Sequence, residues 1–549
     1  MIRKPTELAR CFVAAVTVLG IASGAWTAST DSRSPASVSA PTTLVYGTTE
    51  EPDTLNPETM QLTSAYDLDS GIFDTLVKSD NHGNVIPDLA TSWSISKDGL
   101  TYTFHLRHGV RWADGTPFTA RDVIFTYEQI ISRRNNNFST RGWDLITSAH
   151  APDSYTTVFR TKKTYAPFFV TVGEQNAIIP EHYFRRSPSF LKSGDYNTDP
   201  FNRRPFGTGP YLVADWRSAD HITLVSNKYY WGIKPYFRMI VAKILPDNNT
   251  LLTELRTNEV QIAKVAQQQA SQAGSLPGKV LIERPGQGWY HIDLKQWGFL
   301  RDQHVRIALD YATPKQKIIT EVLHGYGRID DGDIAPISWA YTSRVPRHPF
   351  DPRKAAHILA LDGFEKGSDG VLRKDNQPLS IQIWYYDGDE PGEQIDRILK
   401  REWARIGVAV DLRHQDVKTI FGSHGPMFTK RATGISYTWF NGNDPDDSFY
   451  WSSSQIPNSP TGSGGNDCAY FHTFAFQKEI DDLTAAGVAT LNRVKRKSIY
   501  ARIERLLAEQ TPDIFIDWQP VLAVASDNLK GFDPNAFNYL FYNVQRWRY

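Results

Sequence analysis

Residues Phe73 to Thr126 read FDTLVKSDNHGNVIPDLATSWSISKDGLTYTFHLRHGVRWADGTPFTARDVIFT. Inside this stretch Leu100 to Leu106 (LTYTFHL) alternates apolar and polar residues, the pattern of a strand with one buried face. Asp98-Gly99 and Asp114-Gly115 are turn dipeptides. Pro87 and Pro117 start or stop elements, because proline fixes φ and removes a donor. Thr119-Ala-Arg-Asp122 has the spacing of a capping box. Val123, Ile124, Tyr127, Ile130 and Ile131 follow at helical spacing, which predicts a helix with one buried face.

The same alternation of elements extends outward. Leu44-Val45-Tyr46-Gly47 reads as a strand. Val305, Ala308, Leu309 and Ala312 mark a helix stopped near Pro314. Ile395, Ile398, Leu399, Trp403 and Ile406 mark another, closed by Gly407. Val494, Ile499, Ile503, Leu506 and Leu507 mark a third, ended by Pro512. Strands reappear at Leu379 to Trp384 and Val408 to Leu412. Strand, helix, strand in this order indicates an α/β protein. There is no internal repeat, and Ile456 to Gly465 (IPNSPTGSGG) reads as a loop.

With 549 residues the chain has room for two to four domains of about 100–200 residues. A chain of this size folds without disulfides or metal. Lys and Arg total 60, and Asp and Glu also total 60. This balance argues against nucleic acid and against a polybasic membrane-binding face. Aromatic content is 12%, with 15 Trp and 25 Tyr. Such side chains offer an apolar face and a polar tip to varied ligands.

The N-terminus has the form of a signal peptide: Arg3, Lys4 and Arg10, then an apolar run from Cys11 to Ile21, then Ser23-Gly24-Ala25 as a cleavage site. Residues 1–25 are therefore expected to be removed, and 26–42 to form a disordered leader rich in Ser, Thr, Ala and Pro. Cys11 precedes the apolar run, so lipid anchoring is not expected. The mature chain should be soluble in the periplasm and keep only Cys468, buried as a small hydrophobe.

No phosphate loop, HExxH, paired CxxC or GxSxG occurs. His150, His291, His414 and His472 lack ligand partners at helical spacing. Asn441 to Asp447 (NGNDPDD) is acidic but lacks the Gly and terminal Glu of an EF-hand loop. Nothing here assembles a catalytic site, and no cofactor is expected.

The motifs in their order resemble extracellular solute-binding protein family 5, the peptide, dipeptide and nickel binders of ABC importers. Asp53-Thr-Leu-Asn-Pro57 comes first. Ile86-Pro-Asp-Leu-Ala90, Trp93, Asp98-Gly99, Thr103 to Arg107, Asp114-Gly115, Thr119-Ala120 and Asp122-Val123 follow. Then come Gly207-Thr-Gly-Pro-Tyr211, Asn227-Lys-Tyr-Tyr-Trp231, Val305 to Leu309 and Gly325-Tyr326-Gly327. The C-terminal third matches more loosely, through Asp444-Pro445. Most of these residues are expected to shape the fold rather than touch a ligand.

The resemblance implies a two-lobed periplasmic binding protein fold, type II-like, with an inserted small domain. By analogy lobe one comprises 43–76, 205–296 and 512–549, the insert 77–204, and lobe two 297–511. Two or three strands crossing between the lobes would form a hinge. The implied function is capture of a short peptide in the cleft by hinge closure and delivery to an inner-membrane ABC permease by a monomer. Alternatives are another solute (an oligosaccharide, an opine-like compound or a chelated metal), or a receptor or chaperone role without transport.

In peptide binders of the family, the Trp of the lobe-two motif is followed three residues later by an Asp that takes the α-amino group. Here Trp439 is followed by Phe440-Asn441-Gly442, so Gly442 stands at that place. Asp444, Asp446 or Asp447 would have to reach the amine instead. The ligand-binding candidates are Glu51, on the loop that edges the cleft in relatives; Trp439; Asp444; Tyr385 and Tyr386, which end a lobe-two strand and point to opposite faces; and Arg431, which suits a carboxylate.

Overall fold

The computed structural model describes residues 43–549 apart from 138–139, 423, 430–431, 441, 458–464, 467, 470–472, 535 and 538. The signal peptide, the leader, Arg431 and most of the 456–465 loop lie outside the described residues. Among the described residues, no helix is long and apolar enough to cross a membrane.

The α/β class is as expected. Eleven of the described strands form one mixed sheet. In spatial order, one half holds Ala409–Gln415, Ser380–Tyr386 and Gly434–Phe440. Two long strands follow, Lys279–Leu294 and Asp513–Ser526. The other half holds Ile262–Lys264, Thr43–Thr48, Met239–Ile244, His221–Ser226 and Tyr211–Arg217, and the eleventh strand, Arg328–Ile329, pairs with Asp513–Ser526 off this path.

The two halves bury separate apolar cores, which gives two lobes. Leu44, Tyr46, Ile240 and Ile262 belong to the first. Ile292, Ile381, Ile383, Trp403 and Ile514 belong to the second. The amphipathic helices expected from the sequence supply the second core's cover. They are Gln303–Tyr311 and Glu390–Arg405, the latter followed by Gly407 at φ +87°. A third core lies under a four-stranded antiparallel sheet, Ala90–Ile95, Thr101–Leu106, Thr156–Thr161 and Ile146–Asp153. Its helix, Ala120–Ile130, starts at the capping box: Asp122 accepts the Thr119 N–H at 2.9 Å. A cap of this kind contributes about 1 kcal/mol.

Many family motifs converge on one buried ion network. The Lys78 ammonium lies 3.2 Å from Asp74 and 3.0 Å from Asp88. Asp74 also accepts from the Thr208 hydroxyl and the Trp231 indole, both at 2.9 Å. Gly207 and Gly209 press against the Ile72 carbonyl; a Cβ there would meet it at 2.2 and 2.6 Å. Only glycine permits that approach. Four separated motifs thus brace one another structurally.

Lys279–Leu294 and Asp513–Ser526 run antiparallel through both lobes. Their ladder shifts register twice, once within the second lobe between Tyr290 opposite Asp517 and His291 opposite Phe515, and once in the middle, between Arg284 opposite Val521 and Gly288 opposite Gln519. Pro285 and Pro520 fall in this gap. Proline cannot donate to a ladder, so the pair is weakest where it passes between cores. Gly286 is required there, since a Cβ would sit 1.9 Å from the Gln519 carbonyl oxygen. Gly286→Ala is expected to lower stability by about 1–3 kcal/mol, read as a lower urea midpoint.

Candidate functional site

A small cavity opens where the crossing strands meet the loop after Gly434–Phe440. Asp333, Ile334, Ala335 and Ser338 line it, with Gly442, Asn443 and Pro445 of the loop, Gln287 of the interrupted crossing, and Phe537 of the C-terminal segment. Asn443 ties these parts together. It accepts from the Gln287 amide at 3.0 Å and donates to the Phe537 carbonyl at 2.7 Å and to Glu174 at 2.9 Å. Glu174 also accepts from the Ser79 N–H and hydroxyl, both at 2.7 Å. Burial pushes its carboxyl up to about 7.

The acids of the loop divide sharply. Asp444 takes both arms of the Arg496 guanidinium, at 2.8 and 2.6 Å, and both side chains are buried. Asp446 pairs with Arg141 at 2.5 Å, and Arg141 also donates to the Asp446 carbonyl. Asp447 is 1% exposed, and neither of its carboxylate oxygens has a hydrogen-bond partner. It occupies the N-cap of the short helix Ser448–Trp451, yet its side chain makes no cap bond. Burial, then Asp333, holds its carboxyl well above the usual range.

Asp333 accepts from the Trp451 indole at 2.6 Å and is hydrogen-bonded to Glu504. Two hydrogen-bonded carboxyls must hold a proton between them. Burial, then Asp333, raises Glu504.

The candidates from sequence fall in different places. Trp439 is half-buried, opposite Trp289 in the ladder and parallel to Phe449 at 6.3 Å. Tyr386 packs in the same aromatic neighbourhood, against Phe421. Tyr385 points to the other face, stacked on His414 and beside Arg397 and Lys400. This is the opposite-face alternation expected for neighbouring strand residues.

Glu51 is engaged elsewhere. It accepts from the Trp216 indole at 2.9 Å and the Ala219 N–H at 3.0 Å, and Arg203 lies over the Trp216 ring at 3.6 Å. Its carboxylate thus clasps the hairpin of Tyr211–Arg217 and His221–Ser226. Asp444 is engaged by Arg496, and among the three loop acids Asp447 is the one with neither carboxylate oxygen hydrogen-bonded. Cys468 is buried, but it donates to Asp513 at 3.2 Å and so sits in a polar network rather than a purely apolar one.

Sequence reasoning missed Asp333, Asn443, Glu504 and Gln287. The run Asp330-Asp331-Gly332-Asp333 is visible in sequence but reads as a solvated turn. Glu504 stands among Arg502 and Arg505 like any surface helix glutamate.

Comparison with known proteins agrees with this architecture. The family model of bacterial extracellular solute-binding proteins, family 5, matches residues 84–459. The chain is 25% identical over 512 residues to the oligopeptide-binding protein AppA of Bacillus subtilis, covering 92% of this chain and 91% of that protein. It is 27% identical over 527 residues to the dipeptide-binding protein of Escherichia coli, covering 89% and 92%. The solved structure of NikZ from Campylobacter jejuni in complex with Ni(L-His) superposes with a TM-score of 0.79 at 25% identity, covering 92% of this chain and 99% of that one. With the two lobes, the crossing strands and the motif network in place, the chain belongs to the family 5 extracellular solute-binding proteins, which bind solutes and are not enzymes.

Proposed function

We propose that this protein is the solute-binding component of an ABC importer and captures a short peptide between its lobes. The observation that carries the reading is the interrupted crossing between two separately cored lobes, beside which second-lobe residues and the C-terminal segment meet. A ligand held there contacts parts that move apart when the crossing bends, so it favours the closed arrangement. We place the pivot at Arg284–Gly288 and Gln519–Val521, with the lobe boundaries passing through the long strands. The closed shape is then what a permease would read.

The names of AppA and of the Escherichia coli relative favour peptides as the solute. Trp439 supplies a half-open aromatic wall for side chains. A chelated metal is the second reading, favoured by the likeness to NikZ bound to Ni(L-His). Against direct metal ligation, the described residues that line the cavity include neither His nor Cys.

Calorimetry and thermal shift on protein refolded free of ligand test this. Tripeptides at about 100 times their dissociation constant should add roughly 2.7 kcal/mol of stability. A shift with metal chelates or oligosaccharides and none with peptides would overturn the peptide reading. Trp439→Ala is expected to weaken peptide binding about tenfold while moving the melting temperature little.

Asp444→Ala acts differently. It leaves a buried guanidinium unpaired and should cost about 3–5 kcal/mol of folding stability. The double variant Asp444→Leu with Arg496→Met should recover much of that loss in urea unfolding.

Stability should also depend on pH. Burial holds Glu174 and Asp517 up to about 7, whereas unfolded carboxyls titrate near about 4. Between these values the native state keeps protons that the unfolded chain has released, so stability falls as pH rises and levels off above the upper value. Asp293, Asp310 and Asp446 are held low and titrate below this window. The ligand-free melting temperature should drop between pH ~5 and ~7.5, and Asp517→Asn should flatten part of the drop.

A further inference from the structure

The even charge balance of the whole chain conceals a local excess of lysine. Three surface segments meet beside the four-stranded sheet: 96–99 in the turn between Ala90–Ile95 and Thr101–Leu106, 160–164 at the end of Thr156–Thr161, and 491–497 at the start of the helix Arg493–Gln510. Leu491 joins them, since a Cβ at Gly99 would lie 3.4 Å from its Cδ1 and 2.9 Å from the Thr164 hydroxyl. The Ala166 N–H donates to the Val488 carbonyl at 2.7 Å, and Val488 is buried in the third core. Lys97, Lys162, Lys163, Lys495 and Lys497 are all exposed on these segments. The one acid among them, Asp98, is paired with Arg160 at 3.7 Å. The Lys162 ammonium donates to the Asp144 main-chain carbonyl at 3.4 Å.

Two apolar side chains stand in the same place. Val494 is 77% exposed and Leu491 44%. Val494 and Lys497 are three residues apart on the helix and so share one side of it. Exposed aliphatic tips among flexible ammonium groups fit the boundary layer of a bilayer, where the tips enter beneath the headgroups and the lysines meet lipid phosphates. Protein-binding surfaces have a different composition, rich in Arg and aromatic residues and poor in Lys. The exposed arginines here are engaged within the protein. Arg160 pairs with Asp98, and Arg493 donates to the Asn84 side chain at 2.7 Å and lies over the Trp339 ring at 4.8 Å.

We infer that segments 96–99, 160–164 and 491–497 form a docking surface for an anionic phospholipid bilayer. The lysines supply the attraction, and Val494 and Leu491 reach below the headgroups. Contact is peripheral and reversible, because two aliphatic tips bury little area. Removal of residues 1–25 takes away Arg3, Lys4, Arg10 and Glu7, which leaves the mature chain with a small net negative charge. Attraction to an anionic surface must therefore come from the local cluster and not from net charge.

The test is co-sedimentation of the mature protein with vesicles; residues 1–25 are absent so that the apolar run Cys11 to Ile21 does not itself bind lipid. Vesicles of phosphatidylcholine alone are compared with vesicles carrying about one third phosphatidylglycerol. The anionic vesicles should bind about tenfold more tightly, and about 0.5 M NaCl should abolish the difference by screening. Lys162→Glu with Lys163→Glu, Lys495→Glu with Lys497→Glu, and Val494→Asp should each cut binding severalfold with melting temperatures close to the wild type. Equal sedimentation with both vesicle types, or none with either, overturns the surface. An equal loss from Lys366→Glu with Lys400→Glu, exposed lysines outside these segments, also overturns it. Binding to polyglutamate without binding to vesicles points to an acidic protein and overturns the bilayer as the partner. The wild-type comparison decides the lipid preference, so misfolding of a variant does not rescue the proposal.

Discussion

Everything in this molecule hangs on one antiparallel strand pair. Lys279–Leu294 and Asp513–Ser526 carry the sheet of one lobe into the sheet of the other. A fully bonded ladder would make the two lobes a rigid plate. Pro285, Pro520 and the register shift at Gly288 remove hydrogen bonds between the two cores. The break costs stability locally, at the point where the pair passes from one core to the other. Gln287, inside the break, also touches the loop acceptor Asn443. The bend and the cavity are therefore mechanically the same neighbourhood.

The second constraint is electrostatic. A cleft that closes on a solute takes charges out of water, and each must find a partner or a proton. In the loop after Gly434–Phe440 two acids are answered from within the protein, one by a second-lobe helix and one by Arg141 beyond the third core. Those two pairs hold the loop in shape. The third acid, Asp447, is buried with neither carboxylate oxygen hydrogen-bonded, and burial, then Asp333, holds its carboxyl above the usual range.

Fold and site were legible to different degrees. Periodicity exposed the strand at Thr101–Leu106, the capped helix at Ala120–Ile130 and the helices at Gln303–Tyr311, Glu390–Arg405 and Arg493–Gln510, because local burial imposes local patterning. Trp439 and the opposite faces of Tyr385 and Tyr386 followed from strand geometry. Glu51 and Asp444 were singled out as acids near a cleft motif, but their partners Trp216 and Arg496 come from distant sequence, and no local pattern announces such a pairing. Asp333 and Glu504 failed for the converse reason. A charged residue in a turn or between arginines looks solvated, and only the tertiary fold shows it buried. The Pro residues of the crossing were readable, but their meaning depends on facing each other across a ladder formed by segments more than two hundred residues apart in the chain.

The first lobe joins segments that lie far apart in the sequence, and this bears on how it folds. The first described strand, Thr43–Thr48, lies inside the first lobe's sheet, between Ile262–Lys264 and Met239–Ile244. Trp547 is buried in the same core as Leu44 and Tyr46. The Leu540 N–H donates to Asp67, and Lys530 bridges to Arg548. The first lobe therefore cannot close until Leu540 and Trp547 have met Asp67, Leu44 and Tyr46. Contacts of such long sequence separation form slowly, because loop closure precedes any gain in energy. The first lobe is thus expected to close after the second and third cores, which do not draw on the C-terminal segment beyond Asp513–Ser526.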